Sequence, residues 1–235
     1  MNKTVLYIIV FVATVLIIRF IQKLIWRHVK FIFDYPRDAK KQLIVPARTL
    51  VPSKNEGISW SLSFWIYIDN WDYLYNSPKR IIHWGGNAYV WLSKKRNDLN
   101  IQIPVDNRSN SQEYILFKSL PIQKWIHCCV ILENRYVDLW MNGKLYHSKK
   151  LSGVPNFDYT KEMYVTPSFG KDKGFSGYIS RFRYYNIPIK KNTIRYLYRD
   201  GPINKNPIPN LIGYFKKLAG SIKFNVKVDV DVSTD

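Results

Sequence analysis

The residues able to do chemistry in this 235-residue chain are spread thinly. Its glutamates, Glu56, Glu113, Glu133 and Glu162, each stand alone. Glycoside hydrolysis needs two carboxyl groups at a set separation, one as acid and one as nucleophile or base. Isolated glutamates do not meet that need, and no catalytic residue is expected. The histidines (His28, His83, His127, His147) are scattered without zinc-ligand spacing. Asp69, Asn70 and Asp72 gather hard oxygen donors in one loop, which makes Asp69 and Asp72 the candidates for calcium. The same residue types are ordinary turn formers. No other cofactor is implied. Cys128 and Cys129 are adjacent. Neighbours on a strand point to opposite faces, so a disulfide between them is disfavoured. Lack of a staple leans toward a reducing compartment.

Aromatic side chains are the remaining candidates. They make up 16% of the chain and crowd residues 65–91. Trp65, Tyr67, Trp71, Tyr73 and Trp91 are expected to stack on a sugar or meet a protein partner wherever they are left uncovered. Elsewhere such rings fill a core. With 36 Lys+Arg against 17 Asp+Glu, the formal charge of +19 invites an anionic partner. No Gly-rich phosphate loop or RNA-binding aromatic motif accompanies it, so nucleic acid is not expected.

An apolar run, VLYIIVFVATVLII at 5–18, opens the chain. Residues 5–21 would rise about 26 Å as a helix, close to the hydrocarbon thickness of a bilayer. Arg19 and Lys23 can snorkel and Trp26 suits the interface. A signal peptide would end on small residues, but RFIQKLIWRHVKF is bulky and basic. The expectation is a transmembrane anchor over 1–26, with the lipid bilayer as partner through 5–21. Arg19, Lys23, Arg27 and Lys30 outnumber Lys3 across the span, which places the large domain in the cytoplasm.

A basic juxtamembrane linker is expected over 27–42, and strand periodicity from about residue 43. Trp60, Leu62, Phe64, Ile66 and Ile68 alternate with Ser61, Ser63, Trp65 and Tyr67, so one side faces a core. Further strands are expected at 80–84, 88–93, 99–103, 114–118, 125–132, 136–141, 144–149, 162–166 and 178–185, with one short helix at 190–198. Asn142-Gly143 suits a two-residue hairpin turn. In the tail, 211–218 reads as a short amphipathic helix and 222–232 as an extra strand. Many short strands with frequent turns indicate an all-β sandwich or barrel.

Four blocks in order, WSLSFWIYID, KWIHCCVILE, YVDLWMNGKL and FSGYISRFRYYN, resemble the laminin-G-like, concanavalin A-like jelly-roll superfamily. The resemblance rests on Trp125, Asp138, Asn142 and Gly143 in the hairpins and on Phe175, Gly177 and Ile179 in the last strand. It implies a two-sheet antiparallel jelly-roll sandwich over 43–202, with 203–235 as a C-terminal extension. Hydrolases of that superfamily carry Glu-x-Asp-x-Glu on one strand, which is missing here; its calcium sites lie at the sandwich rim. An N-terminal anchor, a lone domain of this type and an Ile/Lys/Asn/Tyr-rich composition are similar to virion proteins of large DNA viruses. The reading is a non-enzymatic, single-pass membrane-anchored binding or structural module, in a virion membrane or against a capsid. A lectin-like carbohydrate binder is the first alternative, and a glycoside hydrolase with an atypical site the second.

Overall fold

The computed structural model describes residues 3–25, 28–50, 58–106, 112–170 and 173–203. Helix α1 (Lys3–Ile25) is followed by strands β1 (Val29–Phe33), β2 (Arg37–Asp38), β3 (Leu43–Val45), β4 (Ser59–Ile68), β5 (Lys79–Trp84), β6 (Ala88–Leu92) and β7 (Leu99–Asp106). The chain continues through β8 (Gln112–Phe117), β9 (Trp125–Glu133), β10 (Tyr136–Met141), β11 (Lys144–Lys150), β12 (Val154–Pro155), β13 (Met163–Val165) and β14 (Gly177–Tyr185), and ends the described fold with α2 (Lys191–Asp200).

The strands form two seven-stranded sheets, and every paired strand is antiparallel to its neighbour. The first runs β1-β14-β4-β9-β10-β11 with β2 beside β14; the second runs β12-β7-β6-β5-β13-β3 with β8 beside β7. The inner faces enclose one apolar core in which Trp84 meets Trp60 at 5.5 Å and Tyr184 at 5.8 Å, and Phe182 stacks on Phe64 at 5.5 Å. The two-sheet antiparallel sandwich that the resemblance implies is the fold, and of the sandwich or barrel left open by the strand pattern it is the sandwich.

The hairpin between β10 and β11 turns at Asn142 and Gly143 with φ of 49° and 75°, the positive pair a two-residue turn needs. Gly177 opens β14 at φ 141°, and a Cβ there would run into the carbonyl oxygen of Tyr67. The close approach of β14 to β4 therefore requires glycine.

Two expectations are corrected. The sandwich begins before residue 43: β1 and β2 lie within the expected linker and pair with β14, Val29 opposite Tyr185 and Asp38 opposite Tyr178. Their short apolar run, Phe31-Ile32-Phe33, is hidden in the sequence by the flanking charge. Secondly, β4 is buried on both faces, because α2 lies across the outer side of the first sheet. There Cys129, Ile131, Tyr185, Ile189, Ile194 and Leu197 make a second, smaller core. Cys128 belongs to the inner core instead, as adjacent strand residues must. Both thiols are free and buried, and burial raises their pKa.

Helix α1 is long and apolar enough to cross a membrane: residues Lys3–Phe20 have a mean hydropathy of 2.2 and none of that stretch is buried. The expected tail helix at 211–218 and strand at 222–232 lie outside the described residues.

Candidate binding face

A sandwich offers two outer faces, and among the described residues α2 lies across part of one of them. On the first sheet the outward side chains Ser61, Ser63 and Trp65 of β4 and His127, Cys129 and Ile131 of β9 are buried by the chain leaving β14. Ser61 Oγ donates to the Ile187 carbonyl at 2.8 Å and accepts from the Ile189 N–H at 3.0 Å. Trp65, one of the expected binding aromatics, is 5% exposed and stacked on Tyr198 of α2 at 5.8 Å. Its ring faces are occupied, so it has no surface to give a ligand. The alternation located its side of the strand correctly; the helix that covers that side, with Tyr198, comes from far later in the chain.

Beneath the same helix, Ser63 Oγ and His127 Nε2 are 3.0 Å apart. The pair resembles a nucleophile and its base, but burial, helped by the Arg183 charge, pushes the imidazole pKa down to about 3. Such a histidine is a poor proton acceptor near neutral pH. Both residues are essentially inaccessible.

The outer face of the second sheet is different. Register aligns Ile44, Tyr164, His83, Tyr89, Gln102 and Tyr114 as one cross-strand row over β3, β13, β5, β6, β7 and β8. A second row, Arg80, Trp91, Asn100 and Leu116, runs beside it. Their chain neighbours Ile82, Val90, Ile101 and Ile115 point inward to the core, which fixes these rows outward. His83 sits edge-on to Tyr89 at 4.9 Å and to Phe169 at 5.2 Å, and Phe169 meets Tyr164 at 5.1 Å. In the second row the Arg80 guanidinium lies 5.1 Å over Trp91, whose edge meets Tyr114 at 6.0 Å. Tyr114 is 49% exposed and Phe169 38%. Rings with Arg, His, Asn and Gln set among them give apolar platforms beside hydrogen-bonding groups, the two things a sugar ring or a protein hot spot requires.

Of the five expected aromatics, only Trp91 stands on this face. Tyr67 lies on the outer side of the first sheet, between Trp125 at 5.5 Å and Tyr178 at 6.3 Å. Trp71 and Tyr73 sit in the loop after β4, each capped by a lysine: Lys79 Nζ is 4.7 Å from the Trp71 ring and Lys40 Nζ 4.8 Å from Tyr73. His83, Tyr164, Phe169 and Tyr114 were not singled out by sequence. The alternation of 88–92, with Tyr89 and Trp91 on one side, was the signal for the face; its other members come from strands far apart in the chain.

The calcium candidates Asp69 and Asp72 are exposed. Around them Asn70 Oδ1 accepts from the Tyr73 N–H at 3.3 Å and the Asp72 carbonyl from the Tyr75 N–H at 3.1 Å, which is turn chemistry. Among the described residues no three His, Cys, Asp or Glu side chains gather as a metal site.

A family model for the concanavalin A-like lectin/glucanases superfamily matches residues 38–195. The chain belongs to that superfamily. The match spans the sandwich from β2 into α2, so the helix that covers the first sheet starts inside the region the superfamily shares. Solved structures agree on the fold. The binding domain of botulinum neurotoxin DC in complex with SialylT is 19% identical with a TM-score of 0.50, over 68% of this chain and 39% of that one. The same domain in complex with rat synaptotagmin II is 18% identical with a TM-score of 0.50, over 68% and 40%. The receptor-binding domain of the mosaic C/D neurotoxin is 16% identical with a TM-score of 0.54, over 73% and 45%. This chain thus spans less than half of those proteins, as one lectin-like sandwich. No curated protein sequence matches it.

Proposed function

We propose that this protein is a membrane-anchored, non-catalytic binding module whose ligand rests on the outer face of the second sheet. The observation that carries the reading is the pair of aromatic rows there, over which no element of the described residues lies, while α2 covers the middle of the opposite face. A glycan is the favoured ligand, because the rings alternate with Gln102, Asn100 and Arg80 rather than forming one apolar patch. The neurotoxin domains of similar fold, solved with SialylT and with synaptotagmin, support use of such a sandwich for binding. A protein partner is the second reading, favoured by Ile44 at 44% and Leu116 at 39% exposure on the same face. The buried Ser63–His127 pair and the isolated glutamates support a role without catalysis.

Helix α1 serves as the anchor in this reading, with the richer basic flank and the sandwich on the cytoplasmic side. The two free thiols suit that compartment. A virion membrane is the setting that the anchor, the lectin-like domain and the composition favour. Calcium at Asp69 and Asp72 remains the one metal this reading admits. The full chain in phosphatidylcholine nanodiscs, applied to a printed glycan array, tests the proposal. Saturable binding to a defined glycan set supports it. Equal signal on glycan spots and blank spots, together with no partner in a cross-linked pull-down, would sink it.

A further inference from the structure

The two ends of the sandwich present different surfaces. The chain enters β1 at the end where Val29 pairs with Tyr185 and where β9 turns into β10 at Asn134. At the other end, beyond Ile68 and Gly177, the connections 39–42, 69–78, 93–98 and 118–124 come together. Hydrogen bonds hold them as one surface. The Gln123 N–H donates to the Ile68 carbonyl at 2.7 Å, Leu120 N–H to Asn97 at 2.5 Å, and Ala39 N–H to Gly177 at 2.9 Å. Lys79 Nζ, from the start of β5, reaches the Lys94 carbonyl at 3.5 Å.

This end carries exposed Lys40, Lys94, Lys95, Arg96, Lys118 and Lys124. Against them stand exposed Asp69 and Asp72, while Asp98 is buried and accepts the Ser119 N–H. Among the cations two loop-tip side chains project apolar surface: Tyr75 at 57% exposure and Ile122 at 40%.

We propose that this loop end docks on an anionic phospholipid bilayer, so that the protein bridges that bilayer to the one holding α1. The proposal rests on the anchor reading given above. Loop lysines and Arg96 are drawn to an acidic leaflet, and Tyr75 and Ile122 on the same loops gain by entering the headgroup boundary. A nucleic acid would use the cations but leave Ile122 in water. Geometry supplies the bridging. Only residues 26–28 separate α1 from β1, a reach of about 10 Å when fully extended. The ten residues of β4 hold the loop end roughly 33 Å from the entry end, beyond what that tether spans.

The test uses the full chain reconstituted in pure phosphatidylcholine vesicles, mixed with target vesicles of phosphatidylcholine alone or with phosphatidylserine added to make the leaflet acidic. Clustering, read by light scattering, is expected with the acidic targets only and is expected to fade in molar salt. Each cation near such a surface strengthens binding about fivefold, so the triple variant Lys94→Glu/Lys95→Glu/Arg96→Glu should weaken it by more than about 100-fold. Ile122→Ser should weaken it without altering the charge. An unchanged melting curve and glycan-array profile identify both variants as folded. Reconstituted chain with its sandwich outside that fails to cluster acidic targets overturns the proposal, as does capture by RNA in place of those vesicles. Failure of the anchor itself reads differently: the chain would then not float with its own vesicles in carbonate.

Discussion

At the turn between β10 and β11, Gly143 has φ of 75°, and a Cβ there would meet the Tyr198 ring of α2 at 3.1 Å. Gly143→Val therefore adds backbone strain to a steric clash with the covering helix, and a loss of about 1–3 kcal/mol is expected in denaturant melts. No change in midpoint would contradict the turn. His127 gives a pH dependence. Its folded pKa of about 3 lies below the 6.5 of an exposed imidazole, with burial as the main cause. The neutral ring is favoured in the fold, so its contribution is complete above pH 6.5 and is lost as pH falls toward 3, at up to about 1.4 kcal/mol per unit. His127→Gln should flatten the acid limb of a stability–pH curve over that window. A curve that falls just as steeply in the variant would assign the loss elsewhere. Neither effect was visible in the sequence beyond the Asn-Gly pair, because α2 and Arg183 approach from distant parts of the chain.

Elements explain where the sequence pattern was sufficient and where it was not. Strands with one buried side, such as β6 and β10, alternate clearly and were placed within a residue or two. Strand β1 was missed because its pattern is short and lies between Lys30, Asp34 and Arg37. What holds it is ionic as well as apolar. A bulge at Arg181, where φ is 48°, turns Ser180, Arg181 and Arg183 toward one side of β14. Arg183 bonds Asp34 at 3.1 Å, Arg181 lies 3.5 Å from the same carboxylate, and both approach Asp200 at the end of α2. One network thus ties the strand that follows α1 to the helix that lies across the first sheet. Asp34→Ala should cost about 1–3 kcal/mol, since it removes a charge-assisted hydrogen bond to Arg183 and an ion pair to Arg181, both nearly buried. Amide exchange should quicken in β1 before the rest of the sheet. Uniform exchange would show that Asp34 has no local role. The exposed edge strand β11 carries Lys144, Lys149 and Lys150, charges that discourage pairing with another chain.

For the whole molecule, the sandwich with an apolar helix before it was readable from periodicity and from ordered motif blocks. The open aromatic face of the second sheet was not, since which part of each sheet is covered depends on where α2 lands. Trp65 and Trp91 look alike in sequence, yet one is stacked beneath a helix and the other stands beside Arg80 on an open sheet. The measurement that tests this account most directly compares Trp91→Ala with Trp125→Ala, the latter on the first sheet beside Tyr67. Both are applied as full chains to the glycan array that identifies the wild-type ligand. Loss of a stacking platform is worth about 1–2 kcal/mol, so Trp91→Ala should bind at least about tenfold more weakly at an unchanged melting temperature, while Trp125→Ala keeps wild-type affinity. Full binding by Trp91→Ala with loss in Trp125→Ala would move the site to the first sheet and contradict the account.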